Sequence, residues 1–231
     1  LDDDDEIIIP TPYWVSYSEI ARLARAKVVF VTGTPEAGFK ITPSQLEEAI
    51  TAKTKLFIFS TPCNPTGATY TKDELEGLAK VFEKYSQVNI ISDEIYEYIN
   101  YSHESGKYES IAQFDSIKER VIIINGLSKG FAMTGWRLGY IAAHPDIAKA
   151  CEKIQGQFTS GTNSIAQRAA ITALECPLTA TYEMIKEFKR RKQRVAELLK
   201  ELPELKCVEP QGAFYIFPDV RHYFGKKYEG E

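Results

Sequence analysis

Long apolar runs are missing from this 231-residue chain. Its uninterrupted hydrophobic stretches are only a few residues long, against the roughly 20 that a membrane-spanning helix needs. Positive charge is not in excess: 28 lysines and arginines stand against 32 aspartates and glutamates, for a formal net charge of -4. That balance gives no electrostatic case for binding nucleic acid or an anionic membrane. Cysteine is sparse, and Cys63, Cys151, Cys176 and Cys207 form neither a C-x-x-C pair nor a zinc spacing. They read as free thiols of a reducing, cytoplasmic compartment. His103, His144 and His222 are scattered, so no metal site is expected. No G-x-G-x-x-G follows any apolar run, which argues against an ordinary dinucleotide-binding sheet. The start, Leu1-Asp2-Asp3-Asp4-Asp5-Glu6, is acidic where a secretory signal would be basic, and no signal peptide is read there.

What is present is the composition of a globular protein, 44% hydrophobic and 26% charged. Short apolar runs alternate with longer amphipathic ones. Ile7–Ile9, Lys27–Val31, Lys55–Ser60, Val88–Ser92, Arg120–Asn125 and Leu138–Ala143 read as strands, most of them apolar throughout, as suits strands covered on both faces. Ser16–Ala26, Pro43–Ala52 and Thr71–Tyr85 read as helices, the last opened by the capping-box pattern Thr71-Lys72-Asp73-Glu74. The expected fold is α/β, a mostly parallel central sheet with helices on both faces, whose ligands bind beyond the carboxyl ends of the strands.

After about residue 145 the pattern turns helical, with helices over Pro145–Gln157, Ser164–Leu174 and about Thr181–Leu202. Ser164 reads as an N-cap. The cluster Lys189-Arg190-Arg191-Lys192 reads as a solvated face, opposite an apolar stripe of Met184, Ile185, Phe188, Val195, Leu198 and Leu199. Pro203 is expected to end that helix, and Cys207–Pro218 to supply the first strands of a second unit. Residues 1–180 are thus expected to form a large domain, and residues 181–231 an interdomain helix and the start of a smaller α+β domain.

Three motifs carry chemistry, each in a loop that follows a strand. Asn64-Pro65-Thr66-Gly67 is ordinary turn punctuation by itself; its functional reading is an amide donated into a pocket. Asp93-Glu94-Ile95-Tyr96 ends a buried strand on a carboxylate that needs a partner. That partner is a nearby lysine, arginine or helix amino end, or else a protonated ring nitrogen on a ligand, with the Tyr96 phenol reaching the same ligand. Glu94 reads as structural, pointing away. Asn125-Gly126-Leu127-Ser128-Lys129 holds an amine at the mouth of the sheet, with Arg137 following in Thr134-Gly135-Trp136-Arg137. Loops at one end of neighbouring strands converge. No hydrolase triad can be assembled from the set, whereas an amine beside a fixed cation suits an imine to an aldehyde that carries a phosphate.

Asn-Pro-Thr-Gly, Asp-Glu-Ile-Tyr, Ser-Lys and Met133-Thr134-Gly135-Trp136-Arg137-Leu138-Gly139-Tyr140, in this order, resemble the class I/II pyridoxal-phosphate aminotransferases of fold type I, the bacterial aspartate aminotransferase branch above all. Pro12-Tyr13-Trp14-Val15-Ser16-Tyr17 and Pro210-Gln211-Gly212-Ala213-Phe214-Tyr215 extend the likeness over nearly the whole chain. The resemblance implies pyridoxal 5'-phosphate as cofactor, with Lys129 bonded to its aldehyde and acting as the proton-moving base. It implies Asp93 on the pyridinium nitrogen, Asn64 and Tyr96 on the phenolic oxygen, and Ser128 and Arg137 on the phosphate. It places Trp14 against the ring; without the likeness, a core or interface tryptophan is an equal reading. Tyr70, Tyr98 and Tyr101 read as packing or surface residues. Amino-acid and 2-oxo-acid substrates, aspartate and 2-oxoglutarate preferred, and a homodimer are implied as well.

Relatives are longer, with an upstream glycine-rich phosphate segment and a downstream carboxylate-binding arginine that are not found here. Arg221 lies too near Gly212 to be that arginine, and Gly126 stands where many relatives have serine. The alternatives are an aromatic or broad-range aminotransferase, a lyase or synthase on the same scaffold, and an aminotransferase-like effector domain of a transcription regulator. Because both flanking segments are missing, the 231-residue chain alone is expected to bind cofactor weakly and to transaminate poorly. An assay with pyridoxal phosphate, aspartate and 2-oxoglutarate checks this; turnover at the rate of an ordinary aminotransferase would refute it.

Overall fold

The computed structural model describes residues 1–101, 108–202 and 204–227. Strands β1 (Glu6–Thr11), β2 (Lys27–Thr32), β3 (Thr54–Ser60), β4 (Asn89–Asp93), β5 (Val121–Gly126) and β6 (Gly139–Ala142) form one six-stranded sheet in the order β2-β1-β3-β4-β5-β6. The first five run parallel, and β6 is antiparallel to β5. The six strands expected before residue 145 are all present within a residue or two. His103 lies outside the described residues.

The apolar strands are buried on two sides, and their period of two assigns alternate residues to opposite layers. In β1, Ile8 joins the larger core with Phe57, Phe59, Ile90 and Val121, while Ile7 and Ile9 join a smaller cluster with Ile58 and Tyr17. Helix α1 (Ser16–Leu23) covers the smaller cluster with Tyr17 and Ala21. Helices α2 (Pro43–Ala49) and α3 (Lys72–Lys84) cover the larger one. Both begin with complete capping boxes, Thr42 with Gln45 and Thr71 with Glu74, which satisfy backbone N–H groups that the first turn leaves free. Helix α3 turns Leu75, Leu78, Ala79, Val81 and Phe82 inward, the spacing of a single helical face.

Beyond β6 the chain is helical: α4 (Pro145–Phe158), α5 (Ser164–Glu175) and α6 (Thr179–Lys200). No helix among the described residues is long and apolar enough to cross a membrane. The N-cap of α5 is Asn163, not Ser164: the Asn163 carboxamide oxygen accepts from Ile165 and Ala166 N–H, and Ser164 is already helical. Asparagine can reach two free amides at once, which a residue further in cannot. On α6, Met184, Ile185, Phe188 and Leu199 are half-buried, but Val195 and Leu198 stay exposed. Lys189, Arg190 and Arg191 do form a solvated face. Lys192 departs from it: it pairs with Glu209 at 2.7 Å and lies 5.4 Å from the Tyr101 ring centre. Pro203, the expected helix stop, lies outside the described residues.

The expected strands over 207–218 shrink to two short ones, β7 (Lys206–Cys207) and β8 (Pro218–Asp219), paired antiparallel. The backbone between them finds partners in loops of the large sheet instead. Gln211 and Gly212 N–H donate to Gly67 O at 2.8 and 2.9 Å, Tyr101 N–H donates to Gln211 O at 2.7 Å, and Ala213 N–H donates to Ile99 O at 2.8 Å. Gly67 permits this closeness: its φ is +70°, and a Cβ there would lie 2.4 Å from Pro210 Cβ and 2.8 Å from Gly212 O. Gly67→Ala should therefore cost about 1–3 kcal/mol, read in urea titrations as a lower midpoint at unchanged slope.

Candidate active site

The carboxyl ends of β1, β3, β4 and β5 lie at one edge of the parallel sheet, and each hands its chain to a loop there. Because β6 runs the other way, its first residue, Gly139, pairs with Gly126 at the end of β5. The segment entering β6 is thereby brought to the same edge, and Arg137 with it. A cavity of about 430 Å³ opens at this edge. Its wall contains Trp14, Asn64, Asp93 and Tyr96, and also Ser128, Lys129 and Arg137. Every cavity residue expected from the sequence is brought together.

Asp93 is the last residue of β4 and is buried. Its partner is none of the cations or helix ends expected for a buried carboxylate. The Tyr17 hydroxyl donates to Oδ2 at 2.5 Å, and the Ile95 N–H donates to Oδ1 at 3.2 Å. Burial raises the Asp93 pKa, against the lowering effect of these two donors. Glu94, beside it, faces the other way and accepts from Ser92 and Ser110 hydroxyls at 2.9 and 2.6 Å.

On the facing wall, Asn64 Nδ2 donates to the Tyr215 hydroxyl at 3.2 Å, and the Tyr96 and Tyr215 hydroxyls share a 2.7 Å hydrogen bond. Burial pushes the Tyr96 phenol well above its ordinary pKa, with Tyr215 adding to the shift, so Tyr96 stays protonated. Lys129 Nζ sits 5.7 Å from the Tyr96 ring centre and 5.2 Å from that of Phe214. Arg137 holds a left-handed backbone, φ +52°, between the turn Thr134–Trp136 and β6, and its guanidinium donates to Thr134 O at 2.8 Å. A non-glycine residue in that region is uncommon and concentrates at functional sites. Trp14 is 43% exposed, which rules out the core reading, and its ring meets Tyr17 edge-on at 5.5 Å.

Sequence reasoning gave no role to Tyr17, Ser60, Thr134 or Tyr215, all on the cavity wall. Tyr17 and Tyr215 stood inside quoted motifs, and only their spatial partners single them out. Ser60 had one signal, its position as the last residue of β3, where it pairs in register with Asp93. Its buried hydroxyl lies near the Tyr17 hydroxyl and the Cys63 thiol but makes no well-formed hydrogen bond. Tyr70, Tyr98 and Tyr101 pack as expected: the Tyr70 hydroxyl accepts from Ile41 N–H, Tyr98 meets Phe131, and Tyr101 donates to Ala213 O.

This chain belongs to the class I and II aminotransferase family, whose model matches residues 1–228. It is 47% identical over 222 residues to an aspartate aminotransferase of Bacillus subtilis, covering 96% of this chain and 56% of that relative. It is 43% identical over 231 residues to an aspartate/prephenate aminotransferase of Cereibacter sphaeroides, covering 100% of this chain and 57% of the relative. Among solved structures, an aspartate aminotransferase from Rhizobium meliloti superposes with a TM-score of 0.91 at 37% identity, over 94% of this chain and 54% of that one. An aromatic aminotransferase from Pyrococcus horikoshii superposes with a TM-score of 0.90 at 42% identity, over 96% and 59%. The chain spans little more than half the length of these relatives.

Glu94 gives a test of the burial argument. Burial raises its folded-state pKa above the ordinary value, more than the two serine hydroxyls lower it. Such a group stabilises the fold fully below its unfolded pKa, and that contribution is lost as pH rises through the folded one. Glu94→Gln should therefore melt above the wild type at pH 8, and the gap should shrink towards pH 4. Thermal unfolding across that range checks it.

Proposed function

We propose that this chain is the cofactor-binding part of a pyridoxal 5'-phosphate-dependent aminotransferase, which moves an amino group between an amino acid, aspartate preferred, and a 2-oxo acid, 2-oxoglutarate preferred. The observation that carries the reading is the meeting of Lys129, Asp93, Tyr96 and Arg137 in one cavity of about 430 Å³. The donor set fits that cofactor: an amine for the aldehyde, a buried carboxylate for the ring nitrogen, a phenol and an amide for the phenolic oxygen, and a guanidinium with a hydroxyl for the phosphate. The Ser60 hydroxyl, buried on the same wall without a well-formed hydrogen bond although Tyr17 and Cys63 are near, fits a site that receives a further polar atom.

When bound, the cofactor supplies an aldehyde carbon for covalent attachment and an electron-poor ring that accepts the electron pair left at the substrate Cα. Lys129 Nζ would hold the cofactor's aldehyde carbon and would serve as the base for the proton at the substrate Cα. Asp93 keeps the ring nitrogen protonated through its negative charge. Asn64 Nδ2 and the Tyr96 hydroxyl donate to the phenolic oxygen and hold its charge. Arg137 presents a planar fork to the phosphate, with the Ser128 hydroxyl beside it. Trp14, on the cavity wall, would stack on the ring and exclude water from that side.

The structural likeness to an aromatic aminotransferase supports a second substrate reading, an aromatic amino donor. We place the domain division near residue 180, between the six-stranded sheet with its helices and the unit begun by α6, β7 and β8. A homodimer is part of the proposal, supported by the apolar side chains that α4 and α5 leave exposed, Phe158 at 83% and Ile165 at 71% among them, and a cytoplasmic location is proposed with it from the four free cysteines.

With excess pyridoxal phosphate, borohydride reduction should fix the cofactor covalently to the chain, and Lys129→Ala should abolish both that labelling and whatever amino-group transfer the chain retains. Comparing aspartate with tyrosine and phenylalanine as donors separates the two substrate readings. Covalent labelling unaffected by Lys129→Ala would refute the assignment.

A further inference from the structure

Tyr17 lies in α1 and is 5% exposed, packed in the apolar cluster with Ile7, Ile9 and Ile58. A phenol there needs a partner for its hydroxyl, and it reaches across to Asp93 Oδ2 at 2.5 Å, the short distance of a charge-assisted hydrogen bond. A carboxylate has about four acceptor positions. Two of those on Asp93 are taken, by Tyr17 and by the Ile95 N–H, and the side chain still lines the cavity.

We infer that Tyr17 is a positioning residue for the cofactor's ring nitrogen: its hydroxyl fixes the orientation of Asp93 and holds that carboxylate in its charged form. This rests on the function proposed above and adds to it a residue outside the set assigned there. The physical need is specific. Burial favours the neutral acid at Asp93, and a neutral acid cannot balance a protonated ring nitrogen. No cation is among the groups that lower the Asp93 pKa, so the Tyr17 hydroxyl is the chief group opposing burial. It suits that task because burial and the Asp93 charge hold its own pKa far above the ordinary value, and it remains a donor wherever the protein is folded. The other titratable groups coupled to Asp93 are Cys63, Tyr96 and Tyr108, all acids that bring no positive charge.

The experiment is nitrogen-15 resonance of ring-labelled pyridoxal phosphate bound to the holoprotein at pH 7, in wild type, Tyr17→Phe, Asp93→Asn and the double variant. Wild type should give the resonance of a protonated ring nitrogen. Tyr17→Phe keeps the ring and its edge contact with Trp14; it should move the resonance towards the unprotonated position and weaken cofactor retention by about ten-fold, the scale of one hydrogen bond to a charged group. In the Asp93→Asn background the same change should do nothing further. A Tyr17→Phe protein with wild-type resonance and retention would overturn the inference, as would an effect of equal size without Asp93. If Asp93→Asn itself left the resonance unchanged, the functional reading would fail along with it. Should Tyr17→Phe fold poorly, the wild type alone decides: the Tyr17 hydroxyl proton should resonate far downfield and shift when cofactor is added. A hydroxyl proton indifferent to loading would count against the inference.

Discussion

A carboxylate buried at the end of a central strand constrains everything around it. Asp93 sits between β3 and β5, where the sheet is covered on both sides and water has little access. Such a group is tolerated only with donors aimed at it, and the chain supplies a phenol from α1 and a backbone N–H from the following turn. The remaining acceptor capacity has the cavity to face. The electrostatics of the site thus follow from strand order: had β4 been at an edge, solvent would have screened the same aspartate.

The second constraint is directional. Parallel strands deliver their loops to one edge, and this accounts for Trp14, Asn64, Asp93 and Lys129. Arg137 is at that edge for a different reason: β6 runs antiparallel to β5 and begins where β5 ends, so the connection over 127–138 starts and finishes there. Arg137 follows the turn Thr134–Trp136 in a left-handed conformation just before β6. Amine and cation flank a single strand pairing, Lys129 three residues after Gly126 and Arg137 two residues before its partner Gly139.

Strand positions and the gathering of the site residues were legible in the sequence because each depends on local signals: uninterrupted apolar runs, capping residues and the loops after them. The partners of those residues were not. Nothing local marks Tyr17 as the donor to Asp93, because the two are far apart in the chain and meet only through packing of α1 on β1. Lys192 was read as part of a solvated face for the same reason, since its pairing with Glu209 depends on how the C-terminal segment folds back. Ser164 was mistaken for the cap because serine and asparagine carry the same preference there, and the choice between neighbours rests on backbone geometry. The short β7 and β8 reflect a competition that composition does not reveal, in which loop carbonyls of the large sheet captured the N–H groups between them.

That capture couples two things usually thought separate. The residues that tether the C-terminal segment, Gln211 to Ala213, are separated only by Phe214 from Tyr215, which closes the phenol pair on the cavity wall. Undocking the segment strips Asn64 and Tyr96 of their common partner in the same movement. The wall is therefore a latch as well as a surface, and the position of the C-terminal unit is reported, at hydrogen-bond range, to the place where the chemistry is done.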